Sequence, residues 1–164
     1  MEHKLFECFF RNPFRKFQAK SISREFFYDP KVPNSYSEER KNGLTRIEID
    51  IELQNDNDEL FWIECKSFSK RGKAINQVKK ALRFNQGYLK GSIKYAGVII
   101  YKYSFQDISK HFYQKLADDL AKEYRVKFMV FVWDIPFSFQ KSRVNYKSIF
   151  ETKLGLGDFN IIEY

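Results

Sequence analysis

Glu64 and Lys66 flank Cys65 at the end of the apolar run Leu60-Phe61-Trp62-Ile63. A few residues earlier, Glu48, Asp50 and Glu52 alternate with Ile47, Ile49, Ile51 and Leu53. In an extended strand, residues two apart share a face, so this spacing puts the three acids on one face and the isoleucines on the other. Glu64 and Lys66 likewise share a face of the strand that ends with them. Carboxylate oxygens are the preferred ligands of a hard divalent cation, and an ammonium beside them can stabilise negative charge that grows on a reacting group. Two such acids with one lysine are the donor set for metal-assisted attack of water on a phosphodiester.

Positioning them requires an antiparallel hairpin. Asn55-Asp56-Asn57-Asp58 supplies turn-forming residues between the two runs, and the strands are predicted over about 45–54 and 59–67. If Leu53 pairs with Phe61, Asp50 lies opposite Glu64 and Glu48 opposite Lys66, with opposed positions roughly 5 Å apart. The acids and Lys66 then converge. Glu48 and Glu52 become additional ligands or solvated neighbours, and Glu48 is also a candidate partner for Lys66. A surface hairpin laced by cross-strand ion pairs is the competing reading of the same residues.

The surrounding elements follow from periodicity and breakers. Short helices are expected over residues 2–10 and 14–21, and a first strand at Glu25-Phe26-Phe27-Tyr28. Pro30, Pro33, Asn34, Ser35 and the run Glu38-Glu39-Arg40-Lys41 predict an exposed loop from Asp29 to Gly43. Beyond Gly72, residues 73–84 read as a helix buried through Ile75, Val78, Leu82 and Ala81. The nearly continuous apolar run Tyr95–Tyr101 predicts a strand inside a sheet. Ser104 is the expected cap of a helix over about 105–123, with Ile108, Phe112, Leu116 and Leu120 on its buried stripe. A further strand is expected from Arg125 to Trp133, and residues 136–164 form a C-terminal extension whose structure the sequence does not specify.

The chain has 164 residues, the size of one domain with a proper core. Lys and Arg outnumber Asp and Glu by 29 to 21, the net charge is +8 and 18% of residues are aromatic, so a polyanionic partner is expected. Cys8 and Cys65 are too few for a disulfide framework, and neither they nor His3 and His111 have the spacing of an iron–sulfur or structural zinc site. With no apolar run of membrane-spanning length and no sustained apolar segment near Met1, a soluble, intracellular, cytoplasmic protein is expected.

The order helix, strand, acidic strand, Glu-x-Lys strand, helix, strand resembles the core of the PD-(D/E)XK nuclease superfamily, which includes restriction endonucleases and archaeal Holliday-junction resolvases. Asp50 corresponds to its motif aspartate, preceded here by Ile49 rather than proline, and Glu64 and Lys66 correspond to its (D/E)XK element. An acid two residues before a lysine occurs at Glu2, Asp29, Glu39, Glu64 and Glu151. Only Glu64 ends an apolar strand that follows an acidic strand across a tight loop, so context selects one of the five.

The resemblance covers roughly residues 1–103. It implies an α/β fold with a restriction-endonuclease-like core, a central mixed sheet flanked by helices in a single domain. It further implies a Mg²⁺-dependent DNA endonuclease leaving 5′-phosphate and 3′-hydroxyl ends, with Mn²⁺ able to substitute. Asp50, Glu64 and the backbone carbonyl of Cys65 would hold the metal, and Lys66 would act on the attacking water or the developing charge. Gln77 resembles a helix-borne glutamine of several branches, in contact with that water or a phosphate. Glu7 or Glu25 would supply the additional N-terminal acid some members use. Lys73, Lys79, Lys80 and Arg83 are candidates for a phosphate-binding face, and a homodimer is the form in which a junction resolvase would act. The alternative is a catalytically inactive nucleic-acid-binding protein on the same fold.

Overall fold

The computed structural model describes residues 17–103, 109–135 and 159–163. The expected helix over 2–10 lies outside them, as do Glu7, Cys8 and most of the C-terminal extension. The described chain forms a mixed seven-stranded sheet with two helices, in agreement with the α/β expectation. Strand β1 spans Phe17–Tyr28, β2 Tyr36–Ser37, β3 Thr45–Asn55 and β4 Leu60–Ser67. After a 3-10 turn, helix α1 spans Arg71–Tyr88, β5 Tyr95–Tyr103, α2 Lys110–Tyr124, β6 Lys127–Ile135 and β7 Phe159–Glu163. The strands lie in the order β2-β1-β3-β4-β5-β6-β7. Among the described strand pairs, β4–β5 and β5–β6 are parallel and the others antiparallel.

Parallel neighbours need crossovers, and α1 and α2 provide them. Because β4, β5 and β6 advance in one direction and such connections are right-handed, both helices must fall on the same face of the sheet. Their packing agrees: Ala74, Val78 and Leu82 of α1 and Tyr113, Ala117, Leu120 and Tyr124 of α2 share one core with Ala96, Val98, Ile100, Phe128 and Val130. On the other face Ile51, Leu53, Phe61, Ile63, Cys65, Ile99 and Met129 are buried as well.

Several expectations need correction. Residues 17–21 are strand, not helix: β1 pairs with β3 from Phe17–Asn55 to Tyr28–Thr45, and this non-local ladder overrides the local helical pattern. The expected loop contains the short strand β2, paired to Phe27 and Tyr28. Helix α2 is described from Lys110, capped by the Ser109 hydroxyl, which accepts the Phe112 N–H at 3.2 Å; the expected cap Ser104 and the stripe residue Ile108 lie outside the described residues. Of its expected stripe Leu120 is buried and Leu116 packs half-buried against the core, but Phe112 is exposed, and Tyr113, Ala117 and Tyr124 complete the buried face. On α1, Ala74 is buried and Ile75 only half-buried.

Helix α1 ends on a buried polar clasp. The Asn85 carbonyl accepts the N–H groups of Leu89 and Gly91, which sits at a φ of 69° suited to glycine. The Asn85 side chain accepts the Ile93 N–H at 2.9 Å and donates to the Ile93 carbonyl at 3.1 Å. Asn85 is fully buried, so the clasp ties α1 to the entry of β5 with no water to replace it. Asn85→Ala should lower the unfolding free energy by about 2–4 kcal/mol. Denaturant titration measures it, and a loss within about 0.5 kcal/mol, the range of surface substitutions, would contradict the assignment.

Candidate active site

The β3–β4 hairpin has the expected register, with Leu53 opposite Phe61. Its turn is built by Asn55, whose side-chain oxygen accepts the N–H groups of Asn57 and Glu59 at 3.0 and 2.9 Å. Asp58 takes the left-handed conformation that closes it. From the turn the ladder runs only as far as Ile51–Ile63. There Asp50 intervenes: its Oδ2 accepts the Cys65 N–H at 2.8 Å, so a side chain takes a donor that a continuing ladder would have given to backbone.

The acidic face does not survive as predicted. Ile47 and Ile49 pack with Phe26, Trp62, Ala81 and Phe84 beneath α1, whereas Trp62 is the cross-strand partner of Glu52 and shares its face. Strand β3 therefore changes the parity of its side chains at Asp50. The neighbouring strand changes with it. Ser23, between the pairs Ile22–Ile51 and Arg24–Ile49, has φ of 53°, and its buried hydroxyl has no hydrogen-bond partner among the described residues. A serine there costs about 1–3 kcal/mol of backbone strain.

This break sorts the three acids. Glu48 stays on the face away from α1, where Arg46 bonds it at 2.8 Å and also pairs with Glu25. Its predicted position against Lys66 is thus overturned, and Glu25 is likewise engaged away from Lys66. Glu52 turns under α1 and is fully buried, holding Arg24 and the Trp62 indole N–H at 2.7 Å. Asp50 alone joins Glu64 and Lys66. Lys66 Nζ donates to Asp50 Oδ2 at 3.1 Å and to Glu64 Oε1. Asp50 and Glu64 are 5% and 4% exposed, while the Lys66 side chain retains 22% exposure, so the ammonium marks the open side.

Two ionised acids against one ammonium would leave an excess negative charge in a nearly dry place. Burial, and then repulsion from Asp50, push the Glu64 carboxyl up to about 8 even though Lys66 pulls it down. Burial alone would lower Lys66, but its hydrogen bond to Glu64 and the charge of Asp50 outweigh that and raise it, so it stays an ammonium. The Cys65 thiol is raised well above its ordinary value, by burial first and then by both acids, which removes it as a nucleophile.

Among the described residues no group of three or more His, Cys, Asp or Glu side chains is gathered around a common point. The donors that do converge suit a hard cation nonetheless: two buried carboxyl groups that one ammonium does not balance once both are ionised, a set that Mg²⁺ completes with water. The Cys65 carbonyl fits beside them. In an extended strand the N–H and C=O of one residue point toward the same neighbour, and the Cys65 N–H points at Asp50.

Gln77 is exposed on α1 and joins none of the hydrogen bonds of the trio. Lys73, Lys80 and Arg83 are exposed and Lys79 half-buried, with Lys80 donating to the Arg46 carbonyl at 2.8 Å. Sequence reasoning missed Ser23 and Arg24, for neither lies in a motif and their importance arises only from facing β3. No described helix is long and apolar enough to cross a membrane. Scanned against models of protein families and against curated proteins, the sequence has no match.

The raised Glu64 group makes the metal-free protein pH-sensitive. A carboxyl whose folded value exceeds its unfolded one contributes stability at low pH and loses it as pH rises. The window runs from the ordinary 4.5 through about 8. In EDTA, the thermal midpoint of the wild type should fall relative to Glu64→Gln as pH is raised across that window. Parallel curves for the two proteins would show that Glu64 carries no such burden.

Proposed function

We propose that the chain is a Mg²⁺-dependent DNA endonuclease of the PD-(D/E)XK type, built on a restriction-endonuclease-like core. The observation that carries this reading is the meeting of Asp50, Glu64 and Lys66 at the point where β3 and β4 part, with the Cys65 N–H fixed on Asp50. A buried, charge-unbalanced trio is expensive to fold and has the makings of a site whose balance a ligand completes. Asp50, Glu64 and the Cys65 carbonyl would hold the metal. When bound, Mg²⁺ supplies charge neutralisation at phosphate oxygens and a more acidic water.

The chain's own residues do the rest. Asp50 is held to the β4 backbone, so its carboxylate keeps one orientation without substrate. Lys66 sits on the open side with its proton held tightly by the two acids, which suits it to orient the attacking water and to stabilise the charge that builds on the phosphorus-bound oxygens. An ammonium so held is a poor base. Cleavage leaves 5′-phosphate and 3′-hydroxyl ends, and the excess of basic residues, net +8, supports a polyanionic substrate. DNA is preferred over RNA on the strength of the resemblance.

One observation favours a second reading. Lys66 bridges both carboxylates and satisfies them in part, as it would in a nuclease-like protein that binds nucleic acid without cutting. A panel of linear duplex, single-stranded and four-way-junction DNA separates the two. The enzyme should cut at least one of these with Mg²⁺ or Mn²⁺ and none in EDTA, and Lys66→Ala should cut about 10²–10⁴-fold more slowly. Tight binding with no cutting under either metal would establish the binding protein instead.

A further inference from the structure

Arg24 is held from both sides. Its Nη1 donates to both oxygens of Glu52, at 2.8 and 2.6 Å, and Glu52 is fully buried and further satisfied by Trp62 and by Ser21 Oγ at 3.3 Å. The guanidinium lies over the Phe26 ring, 4.7 Å from its centre. These contacts fix the group in place and direction. Its remaining edge, Nε and Nη2, forks onto a single oxygen, Glu38 Oε1, with Nε at 3.0 Å. Glu38 is of a different kind from Glu52: its side chain is 55% exposed, in the connection between β2 and β3.

Exposed ion pairs contribute little to stability, so Glu38 is weakly held on a guanidinium that is strongly held. The free form of this edge is a planar pair of donors, matched to two oxygens of a phosphate better than to one of a carboxylate. Its location fits the same ligand. Arg24 lies opposite Ile49, next to Asp50, and Phe26 beneath it touches Trp62, which shares a β4 face with Glu64. Arg24 stands on β1, separated from Cys65 on β4 by the single intervening strand β3. Nucleic-acid phosphates recur about every 3.4 Å of axis along each strand, so a strand crossing the trio reaches Arg24 within a few phosphates.

We propose that the outer edge of Arg24 is a binding site for a backbone phosphate of the nucleic acid, and that Glu38 occupies it in the free protein as a carboxylate stand-in that the substrate displaces. The site rests on the nucleic-acid reading above and adds to it a contact outside the cleavage trio. It makes Glu38 a brake on binding. Removing Glu38 frees the fork; removing Glu39, its exposed neighbour, changes net charge equally and frees nothing.

The test is binding of fluorescent duplex DNA in EDTA, with salt varied from about 50 to 200 mM. Glu38→Ala should bind several-fold tighter than Glu39→Ala at low salt, with a log K against log salt slope steeper by about 0.9, the signature of one more phosphate contact. In an Arg24→Gln/Glu52→Gln background, which leaves no buried charge unpaired, adding Glu38→Ala should give no gain. If that background does not fold, the Glu38 and Glu39 comparison decides alone. Equal affinities and slopes for those two variants in a protein that cuts DNA overturn the stand-in and leave the nuclease standing. A Glu38-specific gain in a protein that never cuts supports the phosphate site and removes the nuclease. Absence of both binding and cutting overturns both.

Discussion

The hydrogen bond from the Cys65 N–H to Asp50 Oδ2 is the constraint on which the site depends. Antiparallel strands ordinarily exhaust their donors on each other, and a side chain can enter that ladder only where the backbones part. Here they part past Ile51–Ile63, and Asp50 fills the opening. The same event turns Glu52 inward toward Arg24 and Trp62, leaves Glu48 outside with Arg46, and brings Asp50 to Lys66. Ser23, strained and lying between the pairs Ile22–Ile51 and Arg24–Ile49, is the matching irregularity on the neighbouring strand. Sheet, site and strain are one feature seen from three sides.

Charge explains why the trio is not a set of ordinary ion pairs. Glu52 is more deeply buried than Asp50 or Glu64, yet an arginine, an indole N–H and a serine hydroxyl satisfy it. It is a finished interaction. Asp50 and Glu64 share one ammonium, and the shortfall appears as a carboxyl pushed up to about 8. The contrast between a balanced buried acid and an unbalanced pair in the same sheet is the physical difference on which the proposed metal site rests.

Much of this was legible in the sequence because it is local. The turn at Asn55, the register of β3 against β4 and the shared face of Glu64 and Lys66 follow from alternation and turn chemistry. The strand Tyr95–Tyr103 announced itself as an apolar run. What failed was non-local. Alternation along Ile47–Leu53 gave no hint of a parity change at Asp50, since that change depends on β1 across the pair. Residues 17–21 became strand for the same reason. On α2 Leu116 and Leu120 lie on the packed side as their spacing implied, but Phe112 does not, because Tyr113, a polar aromatic, is the ring that enters the core.

The most direct test of the account is where a metal settles. Crystals soaked in Mn²⁺ and measured for anomalous scattering should show a peak within about 2.2 Å of oxygens of both Asp50 and Glu64, with the Cys65 carbonyl as a third ligand and the Lys66 ammonium moved off the shared carboxylates. Crystals that take up no Mn²⁺ between those carboxylates, with Lys66 still bridging them, would contradict the metal site and with it the proposed hydrolysis.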